Sequence, residues 1–201
     1  MQVPTDIQDL EDQLARAERD SEALVRGLSE QQGAWRGEAG SWSVAECLDH
    51  LATANRVYLQ AMSGAAVRAR ASGRLRRGPA VPGFIGRWFV RMLEPPVQPR
   101  FKSKAPRAIR PRTAPPLADA FTAFMSSQQQ VRAFLGACAD LDLTGVRFPN
   151  PFVRGVQFSL ATGFNVIAAH ERRHLWQAWR VRGAATVDNR TSGIGSHSPQ
   201  S

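Results

Sequence analysis

The sequence predicts an all-α protein: a four-helix bundle whose second and third helices are joined by a long Arg- and Pro-rich crossover. Three observations carry this prediction. Four long segments place apolar residues at steps of three and four, the spacing of one face of an α-helix. No segment carries a convincing apolar–polar alternation of the kind a strand needs. The 201 residues, 43% of them hydrophobic, are enough for one domain with a substantial core.

The first helix runs from Thr5 to about Leu28 on the stripe Ile7, Leu10, Leu14, Ala17, Ser21, Leu24 and Leu28, after which Gly33, Gly37 and Gly40 break the period. The second opens in "SWSVAECLDHLATANRVYLQAM". There Ser43 and Glu46 stand as a capping box, and Trp42 and Cys47 are placed for a hydrophobic staple across it. Its apolar face is Val44, Cys47, Leu48, Leu51, Ala54, Tyr58 and Met62, with His50 on the flank, and it ends between Gly64 and Gly73. The third runs from about Leu117 to Leu141, with Leu117, Phe121, Phe124, Val131, Leu135 and Cys138 on one side. "GVRFPNPFVRG" is a turn-rich connection to the fourth, which starts at the N-cap Ser159 and runs to about Arg182, where Gly183 stops it. The bundle domain then spans residues 1–183, with 64–116 as its crossover insertion. Residues 184–201 lack apolar periodicity and read as a disordered tail, which removes His197 from the candidate ligands.

The formal charge of +9 is concentrated: about half of the Lys and Arg lie between Gly64 and Thr113, where Glu94 is the only acid. Such a block can attract nucleic acid or anionic lipid, but composition alone favours a solvated insertion. Aromatics suited to base stacking are scarce there, so nucleic-acid binding ranks last among the functional readings. Prolines in "LEPPVQPRFKSKAPRAIRPRTAPP" forbid a continuous helix. "GFIGRWFVRMLE" does have helical spacing, at Ile85, Trp88, Phe89 and Met92, with Arg87 and Arg91 outside it. A stripe this short reads as docked on its own domain, a membrane surface being the alternative. No apolar run approaches the roughly 18 residues of a membrane span, and the acidic, polar start carries no signal-peptide pattern. These features, with Cys47 and Cys138 as reduced thiols in apolar stripes, lead us to expect a cytoplasmic protein.

Chemistry concentrates in "HERRH", residues 170–174. His170 and His174 stand one helical turn apart, close enough to share a metal ion. They fall on the line Gly163, Ile167, His170, His174, Ala178 and Val181, beside the face that meets the other helices, while Arg172, Arg173 and Arg180 point elsewhere as a solvated face would. His50, the other histidine of the folded part, lies at the edge of an inward face on a helix that a bundle can bring alongside. Three neutral imidazoles with open coordination positions make a catalytic type of metal site. The pattern also matches H-E-x-x-H of zinc proteases, but the third ligand of that class is missing. Gln177 and Arg180 stand where the longer form needs glycine and histidine, and no glutamate follows Glu171. Glu171, one residue from a ligand, is turned about 100° away, which makes it a residue of the ligands' surroundings or of the surface and not the base. Gln177 could reach a ligand or a bound substrate, or be an ordinary helix-packing glutamine; the geometry leaves both open. Trp176 and Trp179 read as packing or dimer contacts.

"WSVAECLDHLATANRVYL" together with "HERRHLWQAW" resembles the DinB-like superfamily of metal-binding four-helix bundles, which also contains the YfiT-type proteins. The resemblance covers the second and fourth helices by motif and the others by pattern. It implies a three-histidine site at His50, His170 and His174 for zinc, nickel or a similar divalent ion, and often a homodimer. It also implies a function among small molecules. Some members transfer low-molecular-weight thiols such as bacillithiol, mycothiol or glutathione, and some isomerise maleylpyruvate with a thiol cofactor. The readings that follow are a metal-dependent thiol transferase or hydrolase, a non-catalytic metal-binding bundle related to stress, and last an anion or nucleic-acid binder acting through residues 64–113.

Overall fold

The computed structural model describes residues 3–37, 41–96 and 105–193. Helix α1 (Thr5–Val25) is followed by a short α2 (Glu30–Ala34), then α3 (Val44–Ala71), α4 (Phe84–Leu93) and α5 (Leu117–Cys138). A hairpin of β1 (Arg147–Pro149) and β2 (Gln157–Ser159) leads into α6 (Leu160–Gly193). The all-α prediction holds. Both α1 and α3 pack against α5 and against α6, so the four long helices close a bundle with α1 and α3 on one diagonal.

The start of α3 is the capping box that its sequence announces: Ser43 Oγ accepts from the Glu46 amide at 3.2 Å, and the Ser43 amide donates to Glu46 Oε2 at 2.9 Å. At the start of α6, Ser159 Oγ accepts from the Thr162 amide at 3.1 Å. Two elements are absent from the periodicity. A second capping box, Ser29 with Gln32, starts α2 in the segment where the spacing predicts that Gly33 breaks the helix. Gly33 has a packing reason to be there, since a Cβ would sit 2.9 Å from that of Leu117. The turn-rich connection contains the hairpin, whose three-residue strands pair buried Phe148 with buried Phe158.

The C-terminal boundary needs correction. Helix α6 does not stop at Gly183 but continues to Gly193, so residues 184–193 are helical, while His197 lies outside the described residues. Gly183 is not among the glycines with positive φ, and a glycine inside a helix costs only about 1 kcal/mol relative to alanine. Ala184 and Ala185 continue the helix readily, and Ala185 is buried.

The crossover is solvated, as its composition implies: among its described arginines only Arg76 is half-buried, the others being exposed. Arg76 pairs with Asp6 and Arg112 with Asp49, tying the crossover to the bundle, while Arg70 at the end of α3 pairs with Asp140 just past α5. Helix α4 docks on α6, but through a different face from the one its spacing suggested. Gly86 is buried, and Phe89, Val90 and Leu93 pack against the core, Phe89 lying edge-on to Phe158 at 5.2 Å. Phe84, Ile85, Trp88 and Met92 face outward. The approach of α4 to α6 depends on Gly86, where a Cβ would run into Thr162 Oγ1 and lie 2.8 Å from its Cγ2. Gly86→Val is therefore expected to lever α4 off α6 at a cost of about 1–3 kcal/mol. Limited proteolysis should then cut faster between Ser72 and Pro96 than in the wild type.

Among the described residues the core forms two apolar clusters. One gathers Ile7, Leu10, Leu14, Tyr58, Met62, Val131, Leu135 and Phe164 with the hairpin phenylalanines; the other gathers Leu24, Val44, Leu48, Leu51, Leu117, Phe124 and Leu175. Between them in chain order, on three different helices, lie the buried polar residues Asn55, Ser127, Gln128 and Glu171. This polar layer crosses the middle of the bundle, next to the histidines.

Candidate metal centre

The bundle brings all three predicted histidines together. His50 comes from α3, and His170 and His174 come from adjacent turns of α6. One ring nitrogen from each lies within 4.8 Å of the others, and His50 Nε2 is 3.1 Å from His170 Nε2. Two imidazoles bound to one ion at about 2.0–2.1 Å would hold their nitrogens roughly 3 Å apart. The outer nitrogens are oriented by acceptors. His50 Nδ1 donates to the Ile109 carbonyl at 2.5 Å, and His174 Nδ1 donates to Gln177 Oε1 at 3.1 Å. Carbonyl oxygens only accept, so both pairings place the proton on Nδ1 and leave the Nε2 lone pair free to coordinate. The indole of Trp42 covers the pair, 4.7 Å from the His50 ring and stacked on His174 at 5.5 Å.

Electrostatics keep the rings neutral. Burial pushes His50 down to about 4, against the Ile109 hydrogen bond and Asp49, which favour its protonated form. Burial also holds His170 and His174 well below the ordinary histidine range, helped by the other histidines and by Arg173. Neutral imidazole is the form that binds a metal, so the donor set fits a divalent transition ion.

Of the two places the sequence leaves open for Glu171, the surface is excluded. The side chain is fully buried, accepting from Asn55 Nδ2 at 2.9 Å and from Gln128 Nε2 at 3.0 Å, so it belongs to the bundle interior and not to the surface. Burial pushes its carboxyl up to about 7, with the two amide hydrogen bonds opposing that shift. The reading of Arg172 and Arg173 as a solvated face is corrected. Arg172 pairs with Glu94 and donates to Gln13 Oε1 at 2.8 Å, while half-buried Arg173 donates to the Met92 carbonyl at 3.3 Å. Helix α4 covers what a minimal bundle would leave open. Trp179 donates to Asp20 Oδ1 at 2.8 Å, and Trp176 carries the Arg180 guanidinium over its ring, so both make contacts within the chain.

Two further contributors carry no side-chain periodicity that could reveal them. Trp42 precedes the N-cap, outside the helical stripe, and Ile109 acts through its carbonyl. The Ile109 turn is held by buried Asp49, which accepts from the Arg112 amide at 2.8 Å and from Arg112 Nε at 2.7 Å. The insertion thus reaches the histidines. Asp49→Ala should loosen this turn and weaken metal binding by about tenfold, the range found when groups that orient ligands are removed. A metal titration would show it, with helical circular dichroism unchanged.

No curated protein and no solved structure matches the chain significantly. The family model of the DinB superfamily matches residues 13–178, a span that contains α3, α5, all three histidines and the insertion. With its helical bundle and its cross-helix histidine cluster in place, the chain belongs to the DinB superfamily.

Proposed function

We propose that the protein binds one divalent transition-metal ion, zinc or nickel, through His50, His170 and His174, and works as a small-molecule transferase or hydrolase. Transfer of a low-molecular-weight thiol to an electrophile is the favoured reaction. The observation that carries this reading is the convergence of three neutral imidazoles from two helices, two of them with their outer nitrogens fixed by carbonyl oxygens. When bound, such an ion supplies Lewis acidity, lowering the pKa of a water or thiol beside it.

The chain's own residues shape what reaches that position. Trp42 walls one side and excludes water from His50 and His174. Arg173 sets a guanidinium close enough to disfavour protonation of all three histidines, and the same charge attracts an anionic group, a carboxylate or a thiolate. Glu171 is engaged by Asn55 and Gln128, so it is not free to act as a base. A homodimer is the setting we propose on the family resemblance.

Elemental analysis of the purified protein tests the reading. About one equivalent of metal is expected in the wild type, and little in His50→Ala or His174→Ala. Metal-loaded protein would then be screened for thiol transfer and hydrolysis; bound metal without turnover would make this a metal-holding bundle. Wild type that takes up no metal even on reconstitution would remove the proposal.

A further inference from the structure

Helix α4 is amphipathic in an unusual sense, because both of its faces are apolar. One face is spent on the fold through Gly86, Phe89, Val90 and Leu93. The other presents Phe84, 81% exposed, Ile85, 66%, Trp88, 58%, and Met92, 38%. At 100° per residue these four fall within one sector of about 100°, a continuous stripe along the whole helix. Scattered exposed apolar residues need no explanation, but a stripe containing Trp and Phe does. Its neighbour on one edge is a pair of exposed arginines, Arg87 and Arg91, one turn apart. The Arg87 guanidinium makes a single long hydrogen bond, 3.5 Å to the Pro82 carbonyl, and neither arginine has an acidic partner among the described residues. The only acid of the segment, Glu94, is already paired with Arg172.

We infer that α4 is a docking surface for an anionic lipid bilayer, on which the protein rests peripherally. Trp and Phe favour the headgroup boundary, and adjacent arginines meet anionic headgroups there. The charge pattern selects this occupant over a second copy of the chain. A two-fold contact through the stripe brings Arg87 and Arg91 of one copy against the same edge of the other, with no acid from this segment to offset them. No described helix is long and apolar enough to cross a membrane, so the contact is with the surface alone. The inference is independent of the metal reading.

Co-sedimentation of the full chain with phosphatidylcholine vesicles, made with and without phosphatidylglycerol, tests it. Binding is expected to the anionic vesicles, falling steeply as salt is raised. The double variant Phe84→Ser with Trp88→Ser should weaken it by at least about tenfold. Arg87→Glu with Arg91→Glu should abolish the preference for phosphatidylglycerol, at about tenfold or more. All four side chains point outward, so thermal unfolding should show both variants folded. Failure to bind any vesicle, or binding untouched by both double variants, overturns the inference. So does a wild-type dimer in sedimentation equilibrium that the Phe84/Trp88 variant turns into a monomer, which would make the stripe a self-association face.

Discussion

Glu171→Ala is expected to destabilise the metal-free protein by about 2–4 kcal/mol in urea unfolding, although it removes a buried acid from the core. The carboxyl is the acceptor for two amides with no access to water, Asn55 and Gln128. Asn55 keeps a second acceptor, Ser127 Oγ at 3.1 Å, but Gln128 Nε2 would be left with none, at about 1–3 kcal/mol for an unpaired buried donor. The cavity left by the lost side chain adds to this. Glu171→Gln should behave differently and stay within about 1 kcal/mol of the wild type. Gln128 Oε1 has no partner in the native layer, so turning that amide lets it accept from the new side chain while the charge disappears. An alanine variant as stable as the wild type would show that the layer contributes nothing of the kind argued.

The second large effect is linkage between metal and stability. A ligand that binds only the folded state stabilises it by about 2.7 kcal/mol at a free concentration 100 times its Kd. For a chain of this size that corresponds to a rise in Tm of about 5–10 °C. Chelator-stripped wild type should recover this increment on titration with zinc or nickel. His50→Ala and His174→Ala should not respond, because each removes one of three ligands contributed across two helices. An equal response in the variants would place the ion elsewhere.

Much of this architecture was legible in the sequence because it rests on side-chain spacing. The four long helices, the Ser43 box and the three histidines all follow from steps of three and four and from local capping chemistry. Glu171 was legible too, but by a signal that polarity masks. Its neighbours on the same helical face are Phe164, Ile167, Ala168, Leu175 and Ala178, every one apolar. The histidine line marks the edge of that buried face, and the glutamate stands near its middle. Other parts leave no such trace. Ile109 contributes a backbone carbonyl, to which any residue type is equivalent. The hairpin strands are three residues long, too short for alternation to register, and Pro149 and Pro151 interrupt the segment. The inward and outward faces of α4 are both apolar, so periodicity identifies a helix there but cannot say which side docks; Gly86, the one residue without a side chain, decides it.

The polar layer has a consequence for how the chain finds its fold. Two apolar clusters stacked along four helices are nearly interchangeable by composition, and hydrophobic burial alone would tolerate a helix sliding by one turn past its neighbours. Such a slip would carry Glu171 out of reach of Asn55 and Gln128 and strand three polar side chains in hydrocarbon, at about 1–3 kcal/mol each. The layer therefore acts as a register mark, penalising misaligned bundles more than it strengthens the aligned one. Because the histidines flank it on the same helices, the alignment it selects is the one that brings His50 opposite His170 and His174.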